Sequence, residues 1–194
     1  MPRVLITGFE PFGGSPVNPS QQVVDALDGE VATAVLPVSY GRAADALRGA
    51  IAGHEPDVVI AFGQADGRTG ISVERFAHNL DEATTTDNDE APGSGLPIDP
   101  DGPAAYPSTL PVDEIVAALR AAGIPAAPSR DAGGFLCNHV FYVLMRTLEQ
   151  QRRAARGGFV HIPLLPEQTL DKDAASVPLE TLVRAARIIV ATAA

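Results

Sequence analysis

The sequence has no tryptophan and a single cysteine, Cys137. One thiol cannot close an internal disulfide, and it cannot assemble a zinc site from several thiolates. Cations are scarce too: 14 Lys and Arg stand against 24 Asp and Glu, a formal net charge of -10. Nucleic acid and anionic membranes both require a local excess of Lys and Arg, so neither is an expected partner. No apolar run approaches the roughly 20 residues that cross a bilayer. The opening MPRVLITGFEPFGG has one basic residue, a short apolar run, then Gly, Pro and an acid, which is not the shape of a secretory signal. A cytoplasmic protein is the expectation.

What remains is an ordinary globular mixture, 45% hydrophobic and 20% charged over 194 residues, which suits one domain spanning 1–194. RVLIT, VATAVLPVS, DVVIAFG and GFVHIPLL read as strands; DVVIAFG is continuously apolar, as a strand covered on both faces should be. ISVERFA and IPAAPS are weaker strand candidates. Helical spacing runs through NPSQQVVDALDG, with Asn18 as cap, Pro19 in the first turn and Gly29 as stop. It recurs in GRAADALRGAIAGHEP, VDEIVAALRAAG, CNHVFYVLMRTLEQQRR and LETLVRAARIIVATAA. Residues 77–111, rich in Asp, Thr, Gly and Pro, break the pattern and predict a long functional or mobile loop. Alternating strands and helices imply an α/β fold, a mostly parallel sheet covered on both faces.

The chemistry concentrates in four stretches. In DAGGFLCNHVFYVLM, Gly133 and Gly134 permit a tight turn, and Cys137 falls at or near a helix start. Unpaired N–H groups there favour a thiolate and could hold an oxyanion. The competing reading is a buried, inert thiol. A nucleophile needs a base. His54 ends a helix beside Glu55 and Pro56, and His78 borders the long loop. His139 is two residues past Cys137 on a helix, so its side chain points elsewhere. His161 lies toward the carboxyl end of an apolar strand, where parallel-sheet active sites gather, although a lone histidine in such a run is also a common core residue.

In GQADGRTGISVERFAHN, Glu74 could orient an imidazole or simply pair with Arg75 or another base, and Gln64 could offer its amide to a ligand or cap a strand end. In TGFEPFGGSPVNPS, the glycines miss the GxGxxG spacing and no P-loop lysine follows. Phe9 and Phe12 in that turn could plug the core or wall a small pocket.

Taken together, GFEPFGGSPVNPS, GQADGRTGISVERFAHN, SRDAGGFLCNH and GFVHIPLLPEQ resemble the pyrrolidone carboxyl peptidases, the type I pyroglutamyl peptidases, from residue 3 to the last helix. The resemblance implies a single-domain three-layer α/β/α sandwich with a mostly parallel mixed sheet. It implies a cysteine omega-peptidase acting on peptides with an N-terminal pyroglutamate, with Glu74, Cys137 and His161 as triad. It places Phe9, Phe12 and Gln64 at the pyroglutamyl pocket. It calls for no metal and no cofactor, and leaves room for a homo-oligomer, dimer or tetramer. Two rival readings are a nucleoside phosphorylase-like enzyme, for which phosphate-binding cations are lacking in the first loop, and a small-molecule-binding α/β domain without catalysis. The chain departs from the pattern at Thr84 and Thr85, where many relatives carry Arg and a bulky apolar residue, at DGRT in place of GGRT, and in stopping at Ala194. The long loop is expected to close over the pyroglutamyl ring with fewer side-chain contacts.

Overall fold

The structure is a computed structural model that describes residues 2–151 and 154–194. Its strands are β1 (Val4–Phe9), β2 (Ala32–Leu36), β3 (Val58–Gln64), β4 (Ile71–Glu74), β5 (Phe76–His78), β6 (Ala105–Pro107), β7 (Ala126–Ser129) and β8 (Arg156–Ile162). Its helices are α1 (Pro19–Ala26), α2 (Tyr40–His54), α3 (Val112–Ala121), α4 (Leu136–Gln150) and α5 (Leu179–Ala193). Arg152 and Arg153, at the end of the helix expected from CNHVFYVLMRTLEQQRR, lie outside the described residues.

Six strands form one mixed sheet in the order β2-β1-β3-β8-β4-β7. All neighbours are parallel except β4 and β8, which pair antiparallel. Each strand sends alternate residues to opposite faces. From β3, Val58, Ile60 and Phe62 join one apolar cluster with α1, α3 and α5; Val59 and Ala61 join another with α2 and α4. That is why DVVIAFG has no polar alternation: helices cover both faces. Each fully buried Val, Ile or Phe side chain contributes about 1.5–3 kcal/mol, so the central strands dominate the stability.

Local signals set the helix boundaries. Asn18 Oδ1 accepts from Ser20 N at 3.0 Å at the start of α1. Ala43, Leu47 and Ile51 are the buried stripe of α2. α3 stops before Gly123, whose φ is +76°.

The segment 77–111 is more ordered than its composition suggests. β5 and β6 make a two-stranded antiparallel ribbon, Asp87 and Asp89 bond to the start of α2, and other parts of the segment are tied to α4 by side chains. Asn138 Nδ2 donates to the carbonyls of His78 and Leu80, each at 2.9 Å, and Asn138 Oδ1 accepts from His78 N at 2.8 Å. Further along α4, Tyr142 Oη donates to Pro103 O at 2.9 Å and Arg146 Nε to Asp99 at 2.7 Å. A polar seam on the helix replaces the apolar periodicity that sequence patterns detect. Among the described residues no helix is long and apolar enough to cross a membrane.

Candidate active site

His161 stands near the carboxyl end of β8, and the antiparallel neighbour β4 carries Ser72 opposite it and Glu74 two residues on. Both carboxylate and imidazole therefore face α4. His161 Nδ1 and Glu74 Oε1 are 2.8 Å apart, and both residues are buried, Glu74 completely. Arg75, next in sequence, points to the other face and pairs with Asp113 at 2.5 Å. Arg75 is thus turned away from Glu74 by the period of the strand. The cation that does approach Glu74 is Arg68, whose Nη2 lies 3.6 Å from Oε1 while Nη1 donates to Ser72 Oγ at 3.1 Å.

Cys137 is the second residue of α4, so unpaired N–H groups of the first turn surround it. Gly133 reaches this start through a φ of +80°. The thiol lies over β3: a Cβ added at Gly63 would come 2.9 Å from Cys137 Sγ and 2.6 Å from Phe159 Cζ. Gly63 is also the register partner of His161. The missing side chain at Gly63 is what lets sulfur and imidazole meet above the sheet. Burial pushes the His161 pKa down, but the charge of Cys137, its hydrogen bond and the Glu74 carboxylate together outweigh burial, and the net shift is upward.

Beside the thiol is a small apolar cavity bounded by Phe9, Phe12, Val38, Gln64, Phe135 and Cys137. The structure thus brings Phe9, Phe12 and Gln64 to one place next to Cys137. Phe135, not singled out from the sequence, is the third aromatic wall; its ring centroid lies 6.0 Å from that of Phe12 and 5.7 Å from that of Tyr40. Gln64 is oriented by Gln168, whose Nε2 donates to Gln64 Oε1 at 3.0 Å.

Thr84 and Thr85 are exposed and do not line this cavity. In this conformation neither threonine contributes a wall to the pocket. Instead the loop grips the nucleophile's turn: the N–H groups of Glu82 and Ala83 both donate to Gly134 O, at 3.1 and 3.0 Å. A Cβ at Gly134 would meet Glu82 Cγ at 2.6 Å, so the exposed Glu82 side chain packs directly over that glycine.

The remaining histidines stay apart from the thiol's reaction face. His54 is exposed at the end of α2, and His78 is exposed at the end of β5. His139 pairs through Nδ1 with Asp81 Oδ2 at 2.9 Å. Arg68 and Gly63 carried no sequence signal of their own. Their importance depends on strands that come together only in the fold.

A family model described as pyroglutamyl peptidase matches residues 2–194. The chain is 50% identical to the pyrrolidone-carboxylate peptidase of Bacillus licheniformis, covering 96% of this chain and 89% of that one. It is 48% identical to that of Streptomyces coelicolor, covering 100% and 93%. The crystal structure of pyroglutamyl peptidase I from Bacillus amyloliquefaciens superposes with a TM-score of 0.97 at 43% identity, covering 100% of this chain and 97% of the other. The pyrrolidone carboxyl peptidase of Thermococcus litoralis gives 0.95 at 36% identity, covering 100% and 93%. A match over the whole chain, in sequence and in fold, leaves one conclusion: this protein belongs to the pyroglutamyl peptidase family.

Proposed function

We propose that the protein is a cysteine omega-peptidase that removes an N-terminal pyroglutamyl residue from peptides. The observation that carries this reading is the contiguity of Cys137, His161 and Glu74 beside an aromatic cavity. His161 takes the thiol proton, and the sulfur of Cys137 attacks the carbonyl that joins the pyroglutamyl group to the next residue. The resulting oxyanion is met by N–H groups at the start of α4. His161 returns the proton to the leaving amine as the C–N bond breaks, which frees the shortened peptide. Water, deprotonated by His161, then attacks the thioester; pyroglutamate leaves and the thiol is restored. Glu74 holds the imidazole by Nδ1 throughout and stabilises its protonated form.

Selectivity follows from the cavity. Pyroglutamate is a flat neutral lactam, suited to the rings of Phe9, Phe12 and Phe135. An ordinary peptide would have to desolvate a charged amine there, which is costly. In the present conformation the cavity has a volume of only about 10 Å³. Phe12, half-buried and followed by Gly13 and Gly14 at positive φ, is the wall best able to yield to the ring.

The whole chain serves as one peptidase domain, acting in the cytoplasm. The test is release of aminomethylcoumarin from its pyroglutamyl amide. Turnover should appear without added metal and stop when iodoacetamide adds one label at Cys137. Turnover that survives full labelling, or a Cys137→Ser protein near wild type, overturns the proposal.

A further inference from the structure

Glu74 is completely buried, yet one hydrogen bond serves its carboxylate: Oε1 meets His161 Nδ1 at 2.8 Å, and Oε2 has no partner among the described residues. Burial by itself disfavours a carboxylate in its charged form. The compensating charge is Arg68, in the connection between β3 and β4, whose Nη2 lies 3.6 Å from Glu74 Oε1. The same guanidinium is fixed at two other points. Nη1 donates to Ser72 Oγ at 3.1 Å, and Nη2 donates to the carbonyl of Asp131 at 3.3 Å. Asp131 lies in the turn that leads into α4, where its Oδ1 accepts from Gly133 N at 2.8 Å. Arg68 thus joins the strand of the acid to the turn of the nucleophile.

We propose that Arg68 is a positioning residue for the triad: it keeps Glu74 ionised and aimed at His161 Nδ1, and it holds β4 against the turn that carries Cys137. This rests on the pyroglutamyl peptidase reading above. An ionised Glu74 accepts the Nδ1 proton, which leaves Nε2 as the atom that exchanges a proton with the thiol. A protonated Glu74 could not stabilise the imidazolium. The other charged or titratable groups about Glu74 are His161 from β8, Cys137 of α4 beyond the imidazole, and the Asp131 carboxylate, already bonded to Gly133 N. Arg75 and Asp113 pair on the opposite face of β4. The Arg68 side chain is 35% exposed, so its charge is partly screened, and its loss weakens catalysis without abolishing it.

The experiment measures kcat, KM and the pH dependence of kcat/KM with the pyroglutamyl coumarin amide, in wild type, Arg68→Gln, Arg68→Lys and Arg75→Gln. Arg68→Gln should lower kcat by about ten- to a hundredfold. Its KM should barely change, because Arg68 does not line the aromatic cavity. Its acid limb should move to higher pH by about one pH unit, since removing a cation makes the neighbouring carboxylate easier to protonate. Arg68→Lys should return the limb toward wild type, while Arg75→Gln, which removes the same charge from the other face of β4, should leave it in place. In a Glu74→Gln background, Arg68→Gln should cost little more, because the carboxylate it serves is gone. An acid limb that stays put in Arg68→Gln, or losses that simply multiply in the double variant, overturns the inference; a merely structural role for Arg68 predicts both. A wild-type protein inactive on the coumarin amide instead refutes the functional reading, and the pH dependence of Cys137 alkylation by iodoacetamide then tests Arg68 by itself. The same upward move in Arg68→Gln upholds its role, and an unmoved profile overturns it.

Discussion

Two buried imidazoles in this molecule each hold a carboxylate through Nδ1, at nearly the same distance. His161 meets Glu74 at 2.8 Å, and His139 meets Asp81 at 2.9 Å. They differ in what the second ring nitrogen faces. That of His161 is turned to Cys137, whereas His139 Nε2 has no partner among the described residues. His139 instead packs edge-on against Tyr40, with ring centroids 5.4 Å apart, and borders a separate cavity with Arg48, Asp99 and Arg146. Two residues along a helix is a turn of about 200°, so adjacency to Cys137 in sequence places His139 on the far side of α4. A histidine–carboxylate pair is thus a means of orientation. It becomes catalytic machinery only when a nucleophile stands at its other end; without one, it fastens the long loop to the helix.

The sharpest way to break this comparison is to remove each ring. His161→Ala should lower turnover by on the order of a thousandfold or more, as loss of a triad base does. His139→Ala should lower the melting temperature, reflecting loss of a buried charge-assisted hydrogen bond of about 1.5–3 kcal/mol. Its turnover per folded molecule should stay within a few-fold of wild type. Equal losses of turnover at equal folded fraction would erase the distinction.

The next effect concerns the space that lets thiol and imidazole meet. Gly63→Ala leaves every triad residue in place but puts a methyl group against Cys137 Sγ and Phe159. A displacement of the sulfur near 1 Å should cost about a hundredfold in kcat, and the overlap with the buried Phe159 ring should also lower the melting temperature, through a loss of about 1–3 kcal/mol of stability. Wild-type kcat in a folded variant would show that the sulfur can sit elsewhere.

A titration of His161 by NMR sharpens the comparison further. Its folded-state pKa lies above the unfolded value of 6.5, so folding favours the protonated ring. The stability this contributes is complete below the unfolded pKa and is lost as pH rises through the raised folded value. In Cys137→Ala the two upward contributions of the thiol vanish, leaving Glu74 alone against burial. The His161 pKa should then fall below that of the wild type. An unchanged value would mean that Cys137 is not its electrostatic partner.

The smallest effect is expected at Thr85. Because it is exposed and outside the aromatic cavity, Thr85→Ile should leave KM for a pyroglutamyl amide unchanged within twofold, an ordinary surface outcome. A clear fall in KM would show that the loop does reach the substrate.

Apolar continuity marked β3 and β8, the spacing of Ala43, Leu47 and Ile51 marked α2, and the paired glycines marked the start of α4. These features act locally, through burial on one face or the freedom of one backbone unit, so the chain itself determines them. The candidate triad was legible only through resemblance, since residue types alone left Cys137, His161 and Glu74 each with an inert reading. The tertiary structure decided the rest. The antiparallel β4 turned Glu74 toward His161 and Arg75 away from it. The approach of α4 to β3 made Gly63 a seat for sulfur, and the packing of the long loop made His139 a fastener. These outcomes depend on which strands become neighbours and on distances of a few ångströms between segments far apart in sequence, and no local periodicity encodes either.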